Sequence, residues 1–291
     1  MTAIDISPIR DLYPFEAHYH QLKGYDYHYV DEGSGEPIVM VHGNPSWSFL
    51  FRNLILGLRD SYRVLAPDHL GFGLSDKPPK FPYRLETHID NFEEFMLARE
   101  LEGVTLLAHD WGGPIALGFA VRHPEKIKRI VISNTAAFAS SHIPLRLALG
   151  KIPWLGEKLI KDMNLFLTAA MTATVEKPLD SQVKLGYKLP FRKASDRTAM
   201  ARFVRDIPMG PEHPSFEVLL GIEHGLWMFR DVPVCVIWGM KDWCFDSHFL
   251  ERWIDVFPHA DVLELDNAGH WLFEDAHDEI LPFLRHFLEE S

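Results

Sequence analysis

From Tyr25 to Ser133, short apolar runs alternate with longer stretches of helical spacing. Tyr25–Val30 alternates, and the DEGSGEP sequence of residues 31–37 reads as a turn. Pro37–His42 (PIVMVH), Tyr62–Ala66 (YRVLA), Gly103–His109 (GVTLLAH) and Lys128–Ser133 (KRIVIS) are brief apolar runs, as expected of buried strands. Between them, Trp47–Leu58, Leu85–Leu101 and Gly112–His123 have helical spacing, and Pro124 stops the last. The rhythm returns with Val232–Trp238 (VPVCVIW), Phe249–Phe257, Ala260–Leu265 and Glu279–Leu288. In the last of these, Ile280, Phe283, Leu284 and Phe287 share one face. Strands alternating with helices of this length predict an α/β fold, with a mainly parallel sheet flanked by helices.

Residues 138–228 break the rhythm. They lack β-type runs, carry Pro144, Pro153, Pro178, Pro190, Pro208, Pro211 and Pro214, and include helix-like Leu155–Met171. They are expected to form an inserted helical lid, with residues 1–137 and 229–291 as the two parts of the core. An insertion at the C-terminal edge of a parallel sheet lies where α/β proteins bind ligands. Ile143–Met171 is apolar with spaced Lys and Arg. It reads either as packing over the core or as a surface for alkyl chains, a partner or a membrane.

Composition narrows the classes. The 291 residues are 47% hydrophobic and 24% charged, close to an ordinary globular domain, which argues against disorder, collagen and coiled coil. A net charge of −12 repels phosphate backbones, so nucleic acid is not an expected partner. Two cysteines, Cys235 and Cys244, make neither a disulfide scaffold nor a zinc site. No uncharged apolar run approaches the ~18 residues of a membrane span. Met1–Leu12 lacks the apolar core of a signal peptide, so the cytoplasm is the expected location. A homo-oligomer stays open.

The candidate chemistry sits in three segments. In Leu106–Gly113 (LLAHDWGG) a buried strand runs into a tight turn and then into a helix of small residues. That is the setting of a nucleophile elbow, with Asp110 where the familiar pattern has serine. A helix dipole would also stabilise its anion. An Asp before a helix is equally the residue an N-cap would use, so the local residues leave both readings standing. In Val39–Trp47 (VMVHGNPSW) a strand ends in a loop that reads either as half of an oxyanion hole, with Asn44 as a side-chain donor, or as an ordinary Gly/Asn/Pro turn. Asp266–Trp271 (DNAGHW) places His270 between the last strand and the last helix. A lone loop histidine says little, but acid, carboxylate and histidine in this chain order match the triad order of α/β hydrolases. Asp242, in WGMKDW after Val232–Trp238, is the carboxylate candidate; Asp246 and Asp266 compete with it, and a turn or cap role stays open.

These segments resemble the haloalkane dehalogenases of the α/β-hydrolase fold. The likeness rests on HGNPSW at 42–47, DHLGFGLSDKP at 68–78, HDWGGP at 109–114, WGMKD at 238–242 and GHWLFED at 269–275. It implies Asp110 as nucleophile, His270 as base, Asp242 as its acid, and Asn44 with Trp111 as the halide-binding pair. It also implies a small apolar substrate, a covalent alkyl ester on Asp110, and no metal or organic cofactor. Some members carry the acid after the strand preceding the lid, but here Ser133-Asn134-Thr135 offers no carboxylate.

Other classes are weighed on residues. Asp110 excludes a serine esterase. Epoxide hydrolases usually use two lid tyrosines, and only Tyr187 lies in the lid. Fluoroacetate dehalogenases usually have Arg where Trp111 stands. The β-lactone decarboxylases of olefin biosynthesis resemble the same branch and share the whole constellation, so the motifs do not separate the two activities. An inactive hydrolase serving as a binding protein would not need the full set.

Overall fold

Strands buried along all or nearly all of their length sit in the middle of the sheet, and those with exposed residues sit at its edges. The computed structural model describes residues 4–140 and 151–291. Residues 141–150, which take in the start of the Ile143–Met171 segment, and residues 1–3, within Met1–Leu12, lie outside the described residues.

The strands are β1 (His18–Leu22), β2 (Tyr25–Glu32), β3 (Pro37–Val41), β4 (Arg63–Pro67), β5 (Val104–His109), β6 (Ile127–Ser133), β7 (Val234–Gly239) and β8 (Asp261–Leu265). They form one 8-stranded sheet in the order β1-β2-β4-β3-β5-β6-β7-β8. β1 and β2 pair antiparallel, as do β2 and β4; the other pairs are parallel. The central register sets Val39 beside Leu106 and Leu107 beside Val131. β1 is an addition to the sequence reading. Its HYHQL run is too polar to signal a strand, and pairing with β2 through the left-handed Lys23-Gly24 turn (φ 52° and 85°) forms it.

The flanking helices are α1 (Arg52–Leu58), α2 (Leu85–Ala98) and α3 (Gly112–Arg122). Between β6 and β7 run α4 (Pro153–Glu157), α5 (Leu165–Ala173), α6 (Ser181–Lys188), α7 (Thr198–Asp206) and α8 (Pro214–Gly225). The core resumes with α9 (Ser247–Val256), α10 (Leu272–Asp275) and α11 (His277–Glu290). Leu155–Met171 is therefore not one helix. It breaks at Asn164, whose left-handed backbone (φ 53°) a short polar side chain tolerates and a continuing helix does not. Among the described residues, no helix is long and apolar enough to cross a membrane.

The ends of β3, β5, β7 and β8 deliver four loops to one edge of the sheet. The approach of α3 to β3 depends on Gly112: a Cβ there would overlap the Val41 carbonyl oxygen, a backbone atom that cannot step aside. Gly112→Ala should therefore destabilise the fold by about 1–3 kcal/mol, the usual cost of overpacking a close contact. Urea unfolding measures this, and an unchanged midpoint would refute the close-approach argument.

Candidate active site

At the turn from β5 into α3, Asp110 has a left-handed backbone, φ 52°. For a residue with a side chain this conformation costs on the order of 1–3 kcal/mol and persists only where the surroundings hold it. Two bonds to its carbonyl oxygen do so: Gly113 N–H donates at 3.0 Å and Thr135 Oγ1 at 2.5 Å. The strained turn lifts the Asp110 side chain out of the sheet. The N-cap reading is lost, because α3 starts from Trp111 without a side-chain cap. Instead, Asp110 Oδ1 accepts from Asn44 N–H, at 2.5 Å, and the carboxylate also accepts from Trp111 N–H. Gly43 leaves the room for this, since a Cβ there would collide with the Asp110 carboxylate. Asp110 Oδ2 faces His270 Nε2 at 3.7 Å.

Behind that contact, His270 Nδ1 donates to Asp242 Oδ2 at 2.7 Å. Asp242 Oδ1 accepts from Cys244 N–H (2.6 Å), and Oδ2 accepts a second bond from Asn134 Nδ2 (2.9 Å). The competing carboxylates are placed elsewhere: Asp246 caps α9 by accepting from His248 N–H, and Asp266 is exposed. His109 Nε2 donates to the His270 carbonyl oxygen at 2.8 Å, and the Phe245 ring lies over the imidazole at 5.7 Å.

A cavity of about 310 Å³ opens above these groups. Asn44, Asp110, Trp111 and His270 line one side of it, and apolar side chains such as Phe166, Val204, Leu219 and Phe249 supply most of the rest. Asn44 Nδ2 donates one hydrogen to the Met200 carbonyl of α7, at 3.2 Å, and the other is left for the cavity. Phe203 packs edge-on against the Trp111 indole at 5.1 Å. Among the described residues, no group of three or more His, Cys, Asp or Glu is placed to hold a metal ion.

The charges are coupled. Burial pushes the Asp110 carboxyl up from its ordinary value, against the pull of His270 and the two backbone N–H groups. Burial also draws the His270 imidazole down, but Asp242 and Asp110 more than offset it, and the net direction is up.

The structure thus brings together Asn44, Asp110, Trp111, Asp242 and His270. The sequence reading missed Asn134, His109 and Cys244 as supports. Asn134 stood in plain view at the C-terminal end of β6, where only a carboxylate was sought. Tyr187 does not reach the cavity. It is buried, its hydroxyl donates to Glu274 Oε1 (2.5 Å), and its ring stacks on Trp271 at 4.2 Å.

Sheet order, elbow and the acid–histidine arrangement at the strand ends are the architecture of an α/β hydrolase, and the family profile described as alpha/beta hydrolase fold matches residues 36–277. A cis-3-alkyl-4-alkyloxetan-2-one decarboxylase of Shewanella oneidensis is 41% identical over 96% of this chain and 90% of that one. Haloalkane dehalogenase 2 of Mycobacterium tuberculosis is 32% identical over 96% of each chain. The haloalkane dehalogenase DatA of Agrobacterium tumefaciens superposes with a TM-score of 0.86 at 25% identity, over 94% of this chain and 96% of that one. The chain belongs to the α/β-hydrolase family, in the branch that holds these decarboxylases and dehalogenases.

The raised imidazole makes a pH prediction. A histidine whose folded pKa exceeds its unfolded value of about 6.5 stabilises the fold fully below that value, and the contribution fades as pH rises through the folded pKa. Asp242→Asn should lower the His270 pKa and flatten that limb of the stability profile. NMR titration of the imidazole, with unfolding across pH, tests it; an unmoved titration would sink the assignment of Asp242 as the main cause.

Proposed function

We propose that this enzyme decarboxylates a β-lactone carrying two alkyl chains, with Asp110 as nucleophile. His270 and Asp242 act as its charge partners, Asn44 and Trp111 as leaving-group donors, and residues 138–228 as the lid over an apolar substrate. The carrying observation is a carboxylate held at Oδ1 and open at Oδ2 to an apolar cavity. The choice of lactone over haloalkane is supported by 41% identity to the decarboxylase against 32% to the dehalogenase.

Asp110 Oδ2 attacks the saturated ring carbon that bears the ring oxygen, in line with that C–O bond. The bond breaks, its electron pair stays on oxygen, and ring strain is released. An ester now joins Asp110 to carbon, and the neighbouring carbon carries a free carboxylate. The Asn44 amide and the Trp111 indole are donors suited to holding that charge in a dry pocket. The carbon–carboxylate bond then breaks and its pair forms the double bond. The ester C–O pair returns to Asp110, and an alkene and carbon dioxide leave. No water is consumed. Inversion followed by anti departure carries a cis lactone to a cis alkene. His270, protonated beside two carboxylates, stabilises the Asp110 anion that re-forms.

Hydrolytic dehalogenation is the second reading, favoured by the Asn44–Trp111 donor pair and the likeness to DatA. There the halide leaves on attack, and His270 must be neutral to take a proton from the water that hydrolyses the ester. An epoxide hydrolase is disfavoured, because among the described residues no tyrosine lines the cavity. An inactive binding protein is disfavoured by the completeness of the set.

One turnover in heavy-oxygen water, with enzyme in excess, separates the readings. A cis-dialkyl β-lactone should yield cis alkene and carbon dioxide with no label in the peptide containing Asp110, and Asp110→Ala should abolish the reaction. Alkene formation should fall as pH rises through the His270 pKa. Halide release from 1-bromobutane with label entering Asp110, and no alkene from the lactone, would overturn the first reading in favour of the second.

A further inference from the structure

In the GHWLFED segment, the proposed chemistry uses only His270. Its last residue, Asp275, is 2% exposed, and among the described residues no Lys, Arg or His side chain pairs with its carboxylate. Backbone donors surround it instead. Gly269 N–H donates to Oδ2 at 2.9 Å, Glu176 N–H reaches both oxygens at 2.9 and 3.0 Å, and Lys177 N–H donates to Oδ1 at 2.9 Å. Gly269 adjoins His270, whereas Glu176 and Lys177 follow α5 in the segment between β6 and β7. One carboxylate therefore ties two loops that are remote in sequence.

The same seam carries two more bonds. Trp271 N–H donates to the Thr174 carbonyl at 2.8 Å, and Trp243 Nε1, next to Asp242, donates to the Ala173 carbonyl at 2.6 Å. Gly269 and Thr174 lie so close that a Cβ on Gly269 would sit 2.7 Å from the Thr174 carbonyl oxygen. Ala173 and Thr174 themselves line the cavity. Trp271 and Trp243, neighbours of His270 and Asp242, are thus bonded directly to residues 173–177, and Gly269 is joined to them through Asp275.

We propose that Asp275 is the positioning residue for His270, and that residues 173–177 are the fixed end of the lid, so that this wall of the cavity and the His270–Asp242 pair hold one common geometry. The proposal rests on His270 being a working member of the site. Bonds from N–H groups to an ionised carboxylate are shorter and roughly twice as strong as neutral ones. Asparagine cannot replace Asp275, because its NH₂ would face N–H groups. The consequence is geometric: His270 stands 3.7 Å from Asp110 Oδ2, so a small drift of its loop changes which atoms Nε2 reaches.

The test is Asp275→Asn in the full chain. With a cis-dialkyl β-lactone or 1-bromobutane, whichever the wild type turns over, kcat should fall about 100-fold while KM changes less than about threefold, the pattern of a misplaced group rather than a lost binding contact. Amide exchange at Gly269 and Trp271 should quicken, and the His270 titration should move down as its contact with Asp242 loosens. Should that variant not fold, Asp275→Glu, which keeps the charge on a longer arm, is read the same way with a smaller fall. Unchanged kcat and titration in the folded variant overturn the proposal, as does activity lost only in proportion to folded protein. If the wild type converts neither substrate, the reading of the site fails separately, while exchange and titration still decide the role of Asp275.

Discussion

The site depends on one bond pattern: a single carboxylate held by the N–H groups of two different loops. Asp110 Oδ1 accepts from Asn44 N–H in the loop after β3, and the same carboxylate accepts from Trp111 N–H at the start of α3. Backbone N–H groups at such strand ends are donors of the kind that stabilise a developing oxyanion. With Oδ1 held by Asn44 N–H, Oδ2 is the oxygen that faces His270. The pattern requires the left-handed backbone at Asp110, bare glycines at 43 and 112, and a sheet register that brings β3 and β5 side by side. Most of the nearby fold can be read as the means of holding that geometry.

Around this carboxylate the charges are few and buried. Two acids and one imidazole share a pocket whose remaining walls are mainly apolar. Burial favours the neutral forms of Asp110 and His270, while contact with Asp242 and Asp110 keeps the histidine inclined to hold a proton. That inclination matters chemically. A protonated His270 suits a reaction in which Asp110 leaves as an anion and no water takes part, whereas ester hydrolysis needs the neutral ring. The proposed decarboxylation and the competing dehalogenation thus differ less in which residues they use than in which proton state they need.

The proposed lid engages the site at several points. Met200 orients the Asn44 amide, Phe203 braces the Trp111 indole, and Tyr187 stacks behind His270 on Trp271 while donating to Glu274. Glu274 in turn accepts both guanidinium donors of Arg52, deep in the core. Insertion and core are therefore joined by specific polar contacts as well as by apolar packing. Buried polar networks of this kind favour one arrangement over its neighbours, because any slip leaves a donor or acceptor unpaired in a dry setting.

Local chemistry made much of this legible from the residues alone. Apolar runs of strand length, broken by helical spacing, determined the class of sheet, because burial on both faces leaves a mark that needs no partner to be seen. Asp110, Asp242 and His270 were legible because chain order at successive strand ends is itself a spatial statement in a parallel sheet. What depends on distant partners was not legible. β1 exists because β2 pairs with it, Asn164 breaks a helix that its neighbours would have continued, and Asn134 finds its acceptor, and Asp275 two of its donors, about a hundred residues away. The sequence by itself determined which groups arrive at the edge of the sheet; only tertiary contact decided which oxygen is held, which is free, and how two carboxylates share one imidazole, since those are matters of distance and burial that no linear order contains.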